Sequence, residues 1–225
     1  MQWRIRISGA RLLYFFVTWP SRFWRFLLWV LWIHSPRGKH VTLRWLAGMF
    51  LLAFDLIPLS LVYEILVVLF NSKVRLLNAH EMQQAHSVFG QNIALHLVAL
   101  NPDSLPVKRK KTTAYVSFHT VNYYVSIPDS MLIHELVHVW QYERYGSAYI
   151  SEALWAQYWG GGYDYGGIEP LKMYSEGKRL AAFNFEQQAD IIEDYFRWKN
   201  GMPLQWALNV PGIGEVLEKY KSQLQ

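Results

Sequence analysis

The first acidic residue of this 225-residue chain is Asp55, and the stretch before it is dense in bulky apolar and aromatic side chains. It carries eight of the 22 basic residues (Arg4, Arg6, Arg11, Arg22, Arg25, Arg37, Lys39 and Arg44), leaving 14 to face all 17 acids. The net charge of +5 is therefore a property of the N-terminal quarter, and the remainder is mildly acidic. Six of the eleven tryptophans, Trp3, Trp19, Trp24, Trp29, Trp32 and Trp45, fall in the same quarter. Tryptophan beside arginine, without acids, is what a membrane interface selects, because indole rests at headgroup level and guanidinium meets lipid phosphate. Nucleic acid is not expected as a partner, since long apolar residues rather than polar ones separate the arginines.

Two apolar runs within residues 12 to 33, divided by Pro20, Arg22 and Arg25, are each too short to cross a bilayer and read as interfacial helices. A cleavable signal peptide does not fit, because more Trp and Arg follow instead of a small-residue cleavage site. Residues 45 to 63, with one charge at Asp55 and a kinking Pro58, form the best membrane window. A tilted helix, a re-entrant hairpin and a helical pair packed on protein all satisfy it. The expected division is a membrane-associating helical region over 1–75 and a globular domain over 76–225. The location this implies is a membrane, with the side occupied by the domain left open by basic residues on both flanks.

From residue 76 the pattern is that of a small α+β domain. Asn78 and Glu81 predict a capped helix ending at Gly90. "NIALHLVAL" and "TAYVSFHTVNYYVSI" predict two or three strands, expected as a small, mainly antiparallel sheet. "NPDSLPVKRKK" between them predicts a Pro-broken loop with a solvated basic run. A helix is predicted from Pro128 to about Tyr145, another over 148–158, then "GGGYDYGG" as a flexible loop and two further helices, the last ending at Asn200 and Gly201.

His134, Glu135, Leu136, Val137 and His138 spell H-E-x-x-H within the first of those helices. Residues at i and i+4 share a helix face, so both imidazoles can reach one ion, with Glu135 beside its open position as a proton acceptor. The bland reading is an incidental match on a helix. The chain has no cysteine and no histidine beyond His138, so any third downstream ligand must be a carboxylate. Glu186 and Asp190 share a later helix face at i and i+4, and Glu152 competes for the same role. An aspartate so placed can accept from a ligand histidine and fix its tautomer. The plain alternative is an ordinary acidic face formed by Glu186, Asp190 and Asp194.

"LIHELVHVWQYERYG" followed by "FNFEQQADIIEDYF" resembles the gluzincin metallopeptidases, and in wording a group of compact bacterial proteins of that kind, some encoded beside secretion or contractile injection systems. The resemblance spans about residues 76–200. It implies one zinc ion on His134, His138 and Glu186, Glu135 as general base and Asp190 behind a ligand histidine. The implied activity is hydrolysis of a peptide or protein substrate. A non-catalytic zinc-binding module of the same fold, partnering a secretion apparatus, is the alternative. The 47-residue gap between His138 and Glu186 is longer than in the most compact gluzincins and leaves room for the glycine loop over a cleft. Oxyanion donors are sought in Tyr163 and Tyr165 of that loop and in His119 or Tyr124 on the strands. The resemblance also implies an edge strand that pairs with substrate, against the simpler reading that its tyrosines cover the sheet.

Overall fold

The computed structural model describes residues 1–31, 39–110, 114–175 and 179–224. Helix α1 (Gln2–Val30) is continuous through Pro20, where two separate apolar segments were expected. Pro20 denies Phe16 its amide partner, and the hydroxyls of Thr18 and Ser21 bond neighbouring carbonyls at Tyr14 and Thr18, both at 2.7 Å. Helices α2 (Lys39–Leu56) and α3 (Leu59–Phe70) break at Ile57 and Pro58. Among the described residues no single helix is long and apolar enough to cross a membrane, whereas the pair Leu43–Leu56 and Leu59–Phe70, bent by 69°, meets the length and composition of a broken span or a re-entrant loop. Arg37, in the basic flank, lies outside the described residues.

The sheet is mixed, which corrects the mainly antiparallel expectation. Strands β1 (Arg75–Leu76), β2 (Ala99–Asn101), β3 (Ala114–Ser117) and β4 (Thr120–Tyr123) lie in the order β1-β2-β4-β3. β1 pairs antiparallel with β2, and β3 with β4, but β2 and β4 run parallel with Ala99 opposite Thr120. The cause is the connection. The chain leaves β2 through a short helix, α5 (Leu105–Lys110), and returns along β3 before β4, so β4 enters the sheet in the direction of β2. That helix replaces the expected Pro-broken loop, with Pro106 at its first turn, where a missing N–H costs nothing. Lys108 is exposed, while the side chains of the rest of the basic run lie outside the described residues.

Helix α4 (Ala79–Phe89) carries the predicted capping box between Asn78 and Glu81 and ends at Gly90. Helices α6 (Asp129–Tyr145), α7 (Ala148–Tyr158), α8 (Ile168–Ser175), α9 (Phe185–Lys199) and α10 (Ile213–Lys221) follow. The core forms where α6 and α9 pack together and against the sheet and α10, around Leu136, Ile133, Ile192, Phe196, Val121 and Leu217. Gly146 ends α6 at φ 69°, and a Cβ there would stand 2.6 Å from Asp55 Oδ2. That closeness lets Asp55 of α2 accept from both the amide and the hydroxyl of Ser147 at 2.6 Å, capping α7. The lone acid of the apolar window is thus a cap between helices.

Candidate metal centre

Helix α6 buries both histidines on the face turned to α9. His134 and His138 direct their Nε2 atoms at a single oxygen, Glu186 Oε2, each at 3.4 Å. Imidazole and carboxylate ligands bond a tetrahedral ion at about 2.0–2.1 Å, which sets neighbouring ligand atoms about 3.4 Å apart. Glu186 Oε2 is fully enclosed and has no hydrogen-bond donor, whereas its twin Oε1 accepts from Gln157 Nε2 at 2.8 Å. One carboxylate oxygen is therefore held and the other left bare between two ring nitrogens, a donor set that fits a metal ion.

The far side of each ring fixes its tautomer. His138 Nδ1 faces Gln141 Oε1 at 2.8 Å, and Gln141 Nε2 donates to Phe185 O and Gln188 Oε1. With the amide nitrogen so engaged, Oε1 is the acceptor, Nδ1 carries the hydrogen and Nε2 presents its lone pair inward. His134 Nδ1 forms an ion-pair contact of 2.7 Å with Asp190 Oδ1 and stands 3.4 Å from Glu193 Oε2, which gives the same orientation. The indole of Trp206 donates to Asp190 Oδ2 at 2.5 Å, and Arg197 pairs with Glu193. His134, Asp190 and Glu193 also form a second buried group able to hold a metal ion.

Local sequence explains why α9 arrives in register. Asn184 and Gln187 form a capping box, which places Glu186 in the first turn and repeats acids at 190, 193 and 194 along the buried face. The Asn184 amide reaches back to the carbonyls of Gly160 and Gly162, both at 2.9 Å, and Gln187 donates to Asp164 O. The glycine loop, expected to be flexible, is thereby fastened to the start of α9.

Charge and burial pull against each other here. Burial pushes the Glu186 carboxyl up, but the two imidazoles hold it well below the ordinary range. Burial lowers His134, and Asp190, Glu186 and Glu193 outweigh it, so that its imidazole is held well above the usual value. Glu135 is raised, first by burial and against the pull of both histidines. Its Oε2 has no partner, and the side chain lines a cavity of about 690 Å³ together with His134, His138 and Glu186.

Comparison with protein-family profiles, curated proteins and solved structures finds no match for this chain. The fold brings together His134, Glu135, His138, Glu186, Asp190 and Tyr163 around the cavity, with the Tyr163 ring 6.1 Å from that of His134. It does not bring the other candidates there. Glu152 is clasped by Arg44, with Nε to Oε1 at 2.6 Å. Tyr165 is turned inward, donating to Asp194 Oδ2 at 2.5 Å. His119 sits at the β3–β4 turn, bracketed by Glu64 at 3.4 Å and Glu143 at 3.3 Å, because the turn points it under α1 and α3. Tyr124 lies beside Lys108, away from the cavity.

Gln141, Gln157, Glu193 and Trp206 escaped the sequence reading. Gln141 had a signal, since it follows His138 by three residues on one helix face. Gln157 and Trp206 reach the site from another helix and a loop, and no spacing announces them.

Proposed function

We propose that this protein is a zinc-dependent peptidase, with zinc held by His134, His138 and Glu186 and with Glu135 as general base. The observation that carries the reading is the pair of unpartnered buried oxygens, Glu186 Oε2 between the imidazoles and Glu135 Oε2 in the cavity. Zinc on two nitrogens and one carboxylate oxygen would supply Lewis acidity toward a carbonyl and acidify a water. Glu135 takes up the proton of the attacking water and delivers it to the leaving amine. Its buried position raises its basicity for that task. Asp190 and Gln141 hold the Nδ1 side of each ring, so that both Nε2 atoms stay aimed at the position an ion would take. Tyr163, half-exposed at the rim, is the donor placed to meet a developing oxyanion.

The cavity also suits an extended chain. β3 is an edge strand, and Ala114, Tyr115 and Val116 line the same cavity as the two histidines. An extended peptide would add to that edge through main-chain hydrogen bonds and present one carbonyl to the centre.

The test is elemental analysis of the purified full chain beside turnover of a quenched fluorescent peptide library. About one zinc per chain and turnover in the wild type, with zinc kept and turnover lost in Glu135→Gln, is the expected result. Zinc without turnover in either form would leave a non-catalytic zinc module, and a folded chain without zinc would remove the reading altogether.

A further inference from the structure

The polarity of α1 is inverted relative to a helix packed in water. Its inward stripe carries Arg4, Arg11, Arg22 and Arg25, with Arg11 and Arg22 only 2% and 4% exposed. Its outward stripe carries Leu12, Leu13, Phe16, Val17, Phe23 and Trp24, among which Val17 is 70% exposed. The exposed polar residues of this helix are Gln2, Arg6 and Ser21. From residue 43 to residue 70 every exposed residue is apolar or aromatic, up to Phe70 at 80%.

The inward charges have partners. Arg11 donates to Leu97 O at 2.8 Å and pairs with Glu64 at 3.6 Å, and Arg22 faces Asp55 at 3.4 Å. Arg4 covers the carbonyl end of α3 through Asn71 O at 2.7 Å and Ser72 O at 2.8 Å, and Arg25 donates to Glu143 O at 2.6 Å. Asp55 and Glu64, the acids of α2 and α3, are 1% and 3% exposed, so among the described residues of these three helices no carboxylate reaches the outer surface.

We infer that α1, α2 and α3 seat this protein in the hydrocarbon of a lipid bilayer through that outer face. Water rewards the opposite arrangement, with charge outside and apolar side chains inside; hydrocarbon rewards this one. The absence of carboxylates and the presence of Arg6, Trp19 and Trp24 suit an anionic headgroup layer around the embedded surface. A protein partner would need a face of matching size and would leave the inward turn of four arginines without a reason. The α2–α3 bend of 69° gives the apolar surface two limbs rather than one straight rod.

The experiment is flotation of the purified full chain, diluted out of detergent, with vesicles of phosphatidylcholine alone and of phosphatidylcholine with phosphatidylglycerol. Expected is co-flotation with both, retained at high salt. The double variant Leu13→Glu with Phe16→Glu should stay at the bottom while keeping the wild-type circular dichroism and melting. Brominated lipids should quench the wild-type tryptophan fluorescence, which decides the matter independently if the variant misfolds. Binding to the anionic vesicles alone with release by salt would overturn the proposal, as would no quenching, or a soluble dimer that forms without lipid and dissociates in the double variant.

Discussion

Two regions of this molecule bury charge, and they treat it in opposite ways. Under α1 and α3, Arg11 finds the carbonyls of Leu97 and His119 and the Glu64 carboxylate. Between α6 and α9, Glu135 and Glu186 each keep an oxygen with no donor, and both oxygens belong to side chains lining an open volume. Burying an unpaired charge costs several kcal/mol, so closed networks are built to hold a fold together and open ones persist where something else completes them. The first region is a clasp, and the second is a socket.

Breaking the clasp should give the largest change in stability. Arg11→Leu leaves the buried Glu64 without its guanidinium, with only His119 beside it, and should cost about 3–5 kcal/mol in denaturant unfolding, because truncating one partner of a buried pair strands the other. Breaking the socket should barely move stability but should stop chemistry. Glu135→Gln should lower turnover by about 10²–10⁴-fold, the usual contribution of a positioned base, with zinc content unchanged by elemental analysis.

Smaller effects sharpen the contrast. Gln141→Leu and Asp190→Asn should each weaken zinc binding by about 10–100-fold in a competitive chelator titration, since the rings lose the partner that fixes their tautomer. The same titration should be steep in pH. His134 is held above the ordinary imidazole value by Asp190, Glu186 and Glu193 against the effect of burial, so in the metal-free chain it keeps a proton that the ion must displace. Zinc affinity should therefore rise as pH rises toward that raised pKa and flatten above it. Asn184→Ala should have the mildest effect, about 1 kcal/mol of stability for a lost cap, with faster hydrogen exchange at Gly160 and Gly162.

The site was legible to the extent that it was local. H-E-x-x-H announces itself because a helix repeats every 3.6 residues, and Glu186 with Asp190 shows the same period. The choice of Glu186 over Glu152 was not available from spacing, since both acids sit on helices after the motif. It was decided by Arg44, which clasps Glu152, and by Gln157, which holds Glu186. The strands "NIALHLVAL" and "TAYVSFHTVNYY" carried their own residue preferences, but the parallel pairing of β2 with β4 depends on the path between them. No alternation of side chains encodes a path.

By itself the sequence determined the helix that bears His134, Glu135 and His138, the absence of any thiolate ligand, and an N-terminal quarter in which arginine and tryptophan crowd out acids. These are properties of short stretches, where period and composition act within a few turns of backbone. The tertiary structure alone decided which carboxylate meets the histidines, that His119 and Tyr165 turn away from the cavity, and that Arg4, Arg11, Arg22 and Arg25 of α1 face inward while Leu12, Leu13, Phe16 and Phe23 face out. A helix with a stripe of each kind has two stable orientations, and the choice between them belongs to what surrounds it: here Asp55, Glu64 and the carbonyls of Leu97 and Glu143, drawn from four separate elements of the chain.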